Sequence, residues 1–94
     1  MTTYYEKEEL LKVNNVKDMR YEYIDKQRKY VIDTVNRETN KSLQRNKHKG
    51  SVPVDYMDDL LLEELLSKGY KVEHKSTKLF GRFFEVWTIS WDLK

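Results

Sequence analysis

Phe83-Phe84-Glu85-Val86-Trp87-Thr88-Ile89-Ser90-Trp91 decides how this chain folds. Its residues are mostly aromatic or β-branched, types that suit a pleated, half-buried surface. Read with period two, Glu85, Trp87, Ile89 and Trp91 share one face while Phe84, Val86, Thr88 and Ser90 share the other. Burial of the tryptophan face under helices is the expectation. The opposite outcome would leave Trp87-Ile89-Trp91 as an exposed apolar patch and a binding site.

Working upstream, Tyr70-Lys71-Val72-Glu73-His74-Lys75 alternates in the same way and predicts a second strand. A loop from Ser76 to Arg82, with Gly81 at its turn, joins the two into an antiparallel hairpin. Before it, Met57, Leu60, Leu61 and Leu65 with Leu62 and Leu66 form a broad apolar arc, which predicts a helix from Tyr56 to Lys68. Asp55 suits its N-cap, Asp58 and Asp59 its first turn, and Gly69 its C′ stop. Ser51-Val52-Pro53-Val54 reads as a short extended segment, confined to a sheet edge because proline lacks the ladder N–H. His48-Lys49-Gly50-Ser51 reads as a turn.

From Val16 to Lys47 there is neither glycine nor proline. Val16, Met19, Tyr23 and Tyr30, with Ile24, Val31 and Val35, recur at helical spacing, and a long helix over residues 16–48 is predicted. Tyr30-Val31-Ile32-Asp33-Thr34-Val35 alone has strand propensity, but the flanking period runs through it and favours helix. Residues 1–14 form a short helix or a loosely docked arm, because Thr3-Tyr4-Tyr5-Glu6 matches a capping box and Asn14-Asn15 ends the segment. The expected architecture is α+β and a single domain over 1–94. It has a long N-terminal helical region, a strand-helix-hairpin unit over 51–94, and helices on one face of a small antiparallel sheet.

The chain has no cysteine, which removes disulfides, zinc-thiolate sites and thiol nucleophiles. An apolar fraction of 38% against 36% charged predicts one thin core under a charged surface. There is no apolar run long enough to span a membrane and no secretory leader pattern, so no membrane association and a cytoplasmic location are expected. Net charge is only +2, yet it is unevenly spread. Arg37, Lys41, Arg45, Lys47 and Lys49 accompany a single acid, Glu38, whereas Asp55, Asp58, Asp59, Glu63 and Glu64 meet no base.

Little here suggests catalysis, a metal or a cofactor. His48 and His74 have no acidic or histidine neighbour at ligand spacing. Ser51, Ser67, Ser76 and Ser90 lie in turns, at helix ends or on a strand, without an activating base pattern. The carboxylate pairs Asp58-Asp59 and Glu63-Glu64 are accounted for by a helix start and a solvated face. A glycine-rich phosphate loop is also missing.

The order Ser51–Val54, Leu60–Tyr70 with its Lys-Gly-Tyr ending, Tyr70–Glu73 and a closing Trp87-Thr88-Ile89-Ser90-Trp91 resembles small accessory proteins encoded by tailed bacteriophages. The resemblance covers the C-terminal half and rests on hydrophobic fold motifs. It implies a viral origin, action in the host bacterial cytoplasm, and a host-interacting or virion-associated role. It brings no catalytic residues.

The sequence therefore predicts a non-enzymatic protein that binds another protein. The partner is a host factor to be inhibited or redirected, a virion component, or further copies of the chain. Tyr21, Asp58, Asp59, Glu63, Trp87 and Trp91 are the candidate interface residues. The alternative is nucleic-acid binding through Arg37, Lys41, Arg45, Lys47 and Lys49, cationic side chains of the kind that contact phosphates.

Overall fold

A computed structural model describes residues 13–94. Helix α1 runs Val16–Gln44, strand β1 Lys49–Val54, helix α2 Asp59–Ser67, strand β2 Lys71–Leu79 and strand β3 Arg82–Asp92. The α+β layout follows the expectation. The expectations for residues 1–12, including the Thr3–Glu6 capping box, lie outside the described residues.

The three strands form one antiparallel sheet in the order β1-β3-β2. β3 is central, as its apolar composition demands, and β1 with Pro53 is an edge strand. Val52↔Ile89 and Val54↔Trp87 pair β1 with β3, while Val72↔Ile89 and His74↔Trp87 pair β2 with β3. These rungs place Val52, Val54, Ile89 and Trp91 on one face, where they meet Val31 and Val35 of α1 and Leu61 and Leu65 of α2. The tryptophan face is thus the core face, with Ile89 fully buried and Trp91 7% exposed.

Gly50 belongs to β1 rather than to the predicted turn, and its position is fixed by Trp91. A Cβ at Gly50 would overlap Cζ2 and Cε2 of the indole, so only glycine lets the ring lie across the strand.

Asn15 caps α1 by accepting from the Lys17 and Asp18 amides, as the Asn-Asn pair suggests. The helix stops at Gln44, short of the predicted residue 48, because Asn46 takes a left-handed conformation with φ of 54°. Lys47 N–H then donates to Ser42 C=O and Asn46 N–H to Leu43 C=O, the reciprocal pair of a Schellman cap. α2 ends the same way through Gly69, with Tyr70 N–H donating to Leu65 C=O. Its start differs from the expectation: the N-cap is Asp58, not Asp55, and Asp58 Oδ1 accepts from Leu61 N–H at 2.8 Å.

The largest departure is between the hairpin strands. Ser76 to Arg82 is not a loop; pairing continues through Thr77↔Phe84 and Lys78↔Phe83 to Leu79↔Arg82. Only Phe80 and Gly81 turn the chain, both at positive φ, as in a type I′ hairpin turn.

Candidate functional site

β1 reaches only as far as Trp87, so the hairpin beyond the Lys75↔Val86 rung has no third strand. It projects as a two-stranded arm of roughly 15 Å. Neither helix covers it: every residue from Glu73 to Glu85 is exposed. Leu79, Phe83 and Phe84 are open to solvent and Phe80 is completely exposed. Alternation puts Phe83 and Lys78 on the helix-side face, where Lys78 Nζ lies 5.6 Å from the Phe83 ring centroid. Leu79, Arg82 and Phe84 take the other face. Lys75, Lys78 and Arg82 make this an aromatic and basic surface, with no acid between Lys75 and Phe84.

Phe80 stands out energetically. A φ of 52° costs a side chain with a Cβ about 1–2 kcal/mol. No burial offsets that cost, because the ring touches only solvent. The hairpin would turn more stably with another residue at this position.

The predicted interface residues are scattered by the fold. Tyr21 is exposed on α1, and Asp59 and Glu63 are exposed on α2. Trp87 is half-buried where the arm leaves the sheet, stacked on His74 with centroids 4.9 Å apart. Trp91 is a core residue, its ring edge-on to Tyr70, so its candidacy as an exposed interface side chain is corrected by burial under the helices.

Asp58 is likewise committed inside the protein. Its Oδ2 accepts from Arg28 Nε at 2.7 Å and from the Tyr56 hydroxyl at 2.5 Å, while Oδ1 caps α2. Burial by itself would raise the Asp58 carboxyl, but the Tyr56, Arg28 and Leu61 donors outweigh it and hold the carboxyl below its ordinary value. Tyr56 is pushed up to about 12, by burial first and then by donation to Asp58. This cluster ties α1 to the start of α2.

The basic candidates gather partly. Lys41, Arg45, Lys47 and Lys49 line one recess at the end of α1, together with Glu38. Arg37 stays outside it and pairs with Glu38 at 3.6 Å.

A second apolar surface lies on the first turns of α1, where Val16, Met19, Tyr23 and Ile24 border an open groove with Arg20. These residues belong to the predicted stripe, but the buried positions of α1 lie farther along, at Val31, Thr34, Val35 and Ser42. Among the described residues, no helix is long and apolar enough to cross a membrane.

The residues missed by sequence reading are Leu79, Phe80, Phe83 and Phe84 acting as one surface. Ser76 and Thr77 have loop-like composition, which hid the continuing alternation of Lys78, Leu79 and Arg82, Phe83 about a two-residue turn. No protein-family model, curated protein or solved structure matches the chain.

Proposed function

We propose that the chain is a non-enzymatic binding protein that docks through its hairpin arm onto another protein. The observation that carries this reading is Phe80, a fully exposed aromatic ring held in a left-handed conformation at the arm's tip. Strain combined with exposure is a cost to folding, and such costs concentrate where contact with a partner returns them. Leu79, Phe83 and Phe84 extend the apolar area around it, and aromatic anchors of this kind dominate protein interfaces.

Lys75, Lys78 and Arg82 select the partner's chemistry: an apolar hollow with an acidic rim. Glu85, at the base of the arm, faces His74 at 3.8 Å, so the cations nearest the tip are Lys78 and Arg82. The resemblance of the C-terminal half to accessory proteins of tailed bacteriophages supports a host factor in the bacterial cytoplasm as that partner.

Affinity capture from bacterial lysate tests the reading with the wild-type chain beside a Phe80→Asn/Phe83→Ser variant. The expected result is one stoichiometric protein retained by the wild type and lost by the variant, with both chains equally folded. Equal capture by the two, or no stoichiometric partner with a monomer by light scattering, sinks it.

A further inference from the structure

The sheet has two edges, and they are built differently. The two-residue turn at Phe80-Gly81 makes Leu79↔Arg82 a hydrogen-bonded pair, so Lys71, Glu73, Lys75, Thr77 and Leu79 bond to β3. The N–H and C=O groups of Val72, His74, Ser76 and Lys78 therefore point the other way, along the free edge of β2. Among the described residues, no backbone group bonds to them. The same alternation across β3 leaves Lys49, Ser51 and Pro53 on the outer edge of β1. Pro53 removes a donor there and blunts a strand of only six residues. β2 is nine residues long, holds no proline or glycine, and runs beside β3 through consecutive rungs without a bulge. Such an edge is a template for a further strand.

An open edge does not name its occupant, but the side chains along this one do. Glu73 and Lys75 are exposed on the sheet face away from the helices, and their neighbours on β3 are the uncharged Thr88 and Val86. Neither has an ion-pair partner among the described residues. If β2 pairs antiparallel with a second copy about a twofold normal to the sheet, each residue meets one from the same face. Centred on His74, that pairing sets Glu73 opposite Lys75 and, by symmetry, Lys75 opposite Glu73. Both are non-hydrogen-bonded positions, where side chains on adjacent strands come closest. Lys71 meets Thr77, Val72 meets Ser76 and His74 meets its own copy; the last two pairs exchange the free backbone bonds.

Neighbouring registers lose this match. Centring on Lys75 sets that lysine against itself, and centring on Glu73 sets Glu73 against itself and Lys71 against Lys75. Like charges directly opposite disfavour a pairing. Centring on Ser76 leaves Glu73 and Lys75 opposite Leu79 and Thr77, and centring on Val72 overlaps only Lys71 to Glu73 within the strands. The edge is complementary to itself in one register.

We propose that two copies of this chain pair through their β2 edges, antiparallel and centred on His74, and join two three-stranded sheets into one. The interface is isologous, with Glu73 and Lys75 setting its register. Phe80 lies past the paired segment, so the tip of each arm stays free. The pairing is therefore independent of the partner that the arm takes.

Sedimentation velocity of the full chain, from micromolar to near-millimolar concentration, tests this. The wild type should pass from monomer to dimer. Glu73→Lys and Lys75→Glu each set like charges opposite one another, and each should raise the dimer dissociation constant at least tenfold while melting curves show folded chains. Mixed in equal amounts, the two variants should dimerise as the wild type does, because each supplies the charges that the other lacks. The double reversal Glu73→Lys/Lys75→Glu should also restore self-association. Phe80→Asn/Phe83→Ser should dimerise like the wild type, which separates edge pairing from arm docking. A wild type that stays monomeric, a dimer indifferent to either single reversal, or a mixture of the two that stays monomeric overturns the proposal.

Discussion

The two ends of the same hairpin are built from the same kinds of residue and meet opposite fates. At the root, Ile89 and Trp91 vanish beneath α1 and α2; toward the tip, Phe80, Phe83 and Phe84 stand in solvent. The difference lies not in apolarity but in reach. β1 pairs with β3 only from Trp87 to Asp92, and both helices pack over that portion. The comparison teaches that an aromatic in this sheet is core only where a third strand and a helix lie over it. Beyond that boundary, the same side chains are available to something else.

Truncating one residue on each side of the boundary should break the symmetry most visibly. Ile89→Ala removes a fully buried side chain from the centre of the cluster and should cost roughly 2–5 kcal/mol. Phe83→Ala, although it deletes a larger ring, should change stability by about 0.5 kcal/mol or less. Urea unfolding of the two variants measures both. A loss at Phe83 comparable to that at Ile89 would mean that the arm folds back onto the protein.

Helix α1 shows a similar division along its 29 residues. Its second half contributes Val31 and Val35 to the core, while Val16, Met19 and Tyr23 remain exposed. Arg28, between the two halves, marks the transition by bonding Asp58 at the start of α2. Asp58→Ala should cost about 2–3 kcal/mol, because it removes an N-cap and strands two partly buried donors, Arg28 and Tyr56. The pH dependence follows from the shifts. Asp58 is held low, so its contribution is present above the ordinary carboxylate range and disappears as pH falls through its folded value. Tyr56 is held high, so its contribution is complete below about pH 10 and disappears as pH rises toward about 12. Stability measured against pH in the wild type and in Asp58→Ala should converge as pH falls through the folded Asp58 value and stay apart at alkaline pH, where the Leu61 and Arg28 bonds to Asp58 persist.

How much of this was legible in the sequence depended on whether the signal was local. Period two in Phe83–Trp91 and Tyr70–Lys75, the Leu arc ending at Gly69, and the edge position of Pro53 are local patterns, and each corresponds to an observed element. The helical reading of Tyr30–Val35 also holds, because a continuing period outweighs six residues of strand propensity. What was hidden depended on partners distant in sequence. Gly50 reads as a turn until Trp91 is laid across it. Asp58 reads as one acid among several until Arg28, thirty positions earlier, is brought to its carboxylate. Of the candidate interface residues, Trp91 and Asp58 are used internally, and the exposed aromatics of the arm were concealed by the loop-like Ser76-Thr77 pair.

A small effect of opposite sign is the most discriminating. Phe80→Asn places at the turn a residue that tolerates the left-handed region better than phenylalanine does. Since the ring buries nothing, the fold loses no contact, and the variant should gain roughly 0.5–1 kcal/mol. Partner binding should weaken in the same variant. Few substitutions are expected to move stability and binding in opposite directions, and a generally disruptive change would lower both. A thermal melt beside a binding isotherm separates the cases. If Phe80→Asn lowers the melting temperature, the ring is a folding residue after all, and the boundary between root and tip lies farther out along the arm than Trp87.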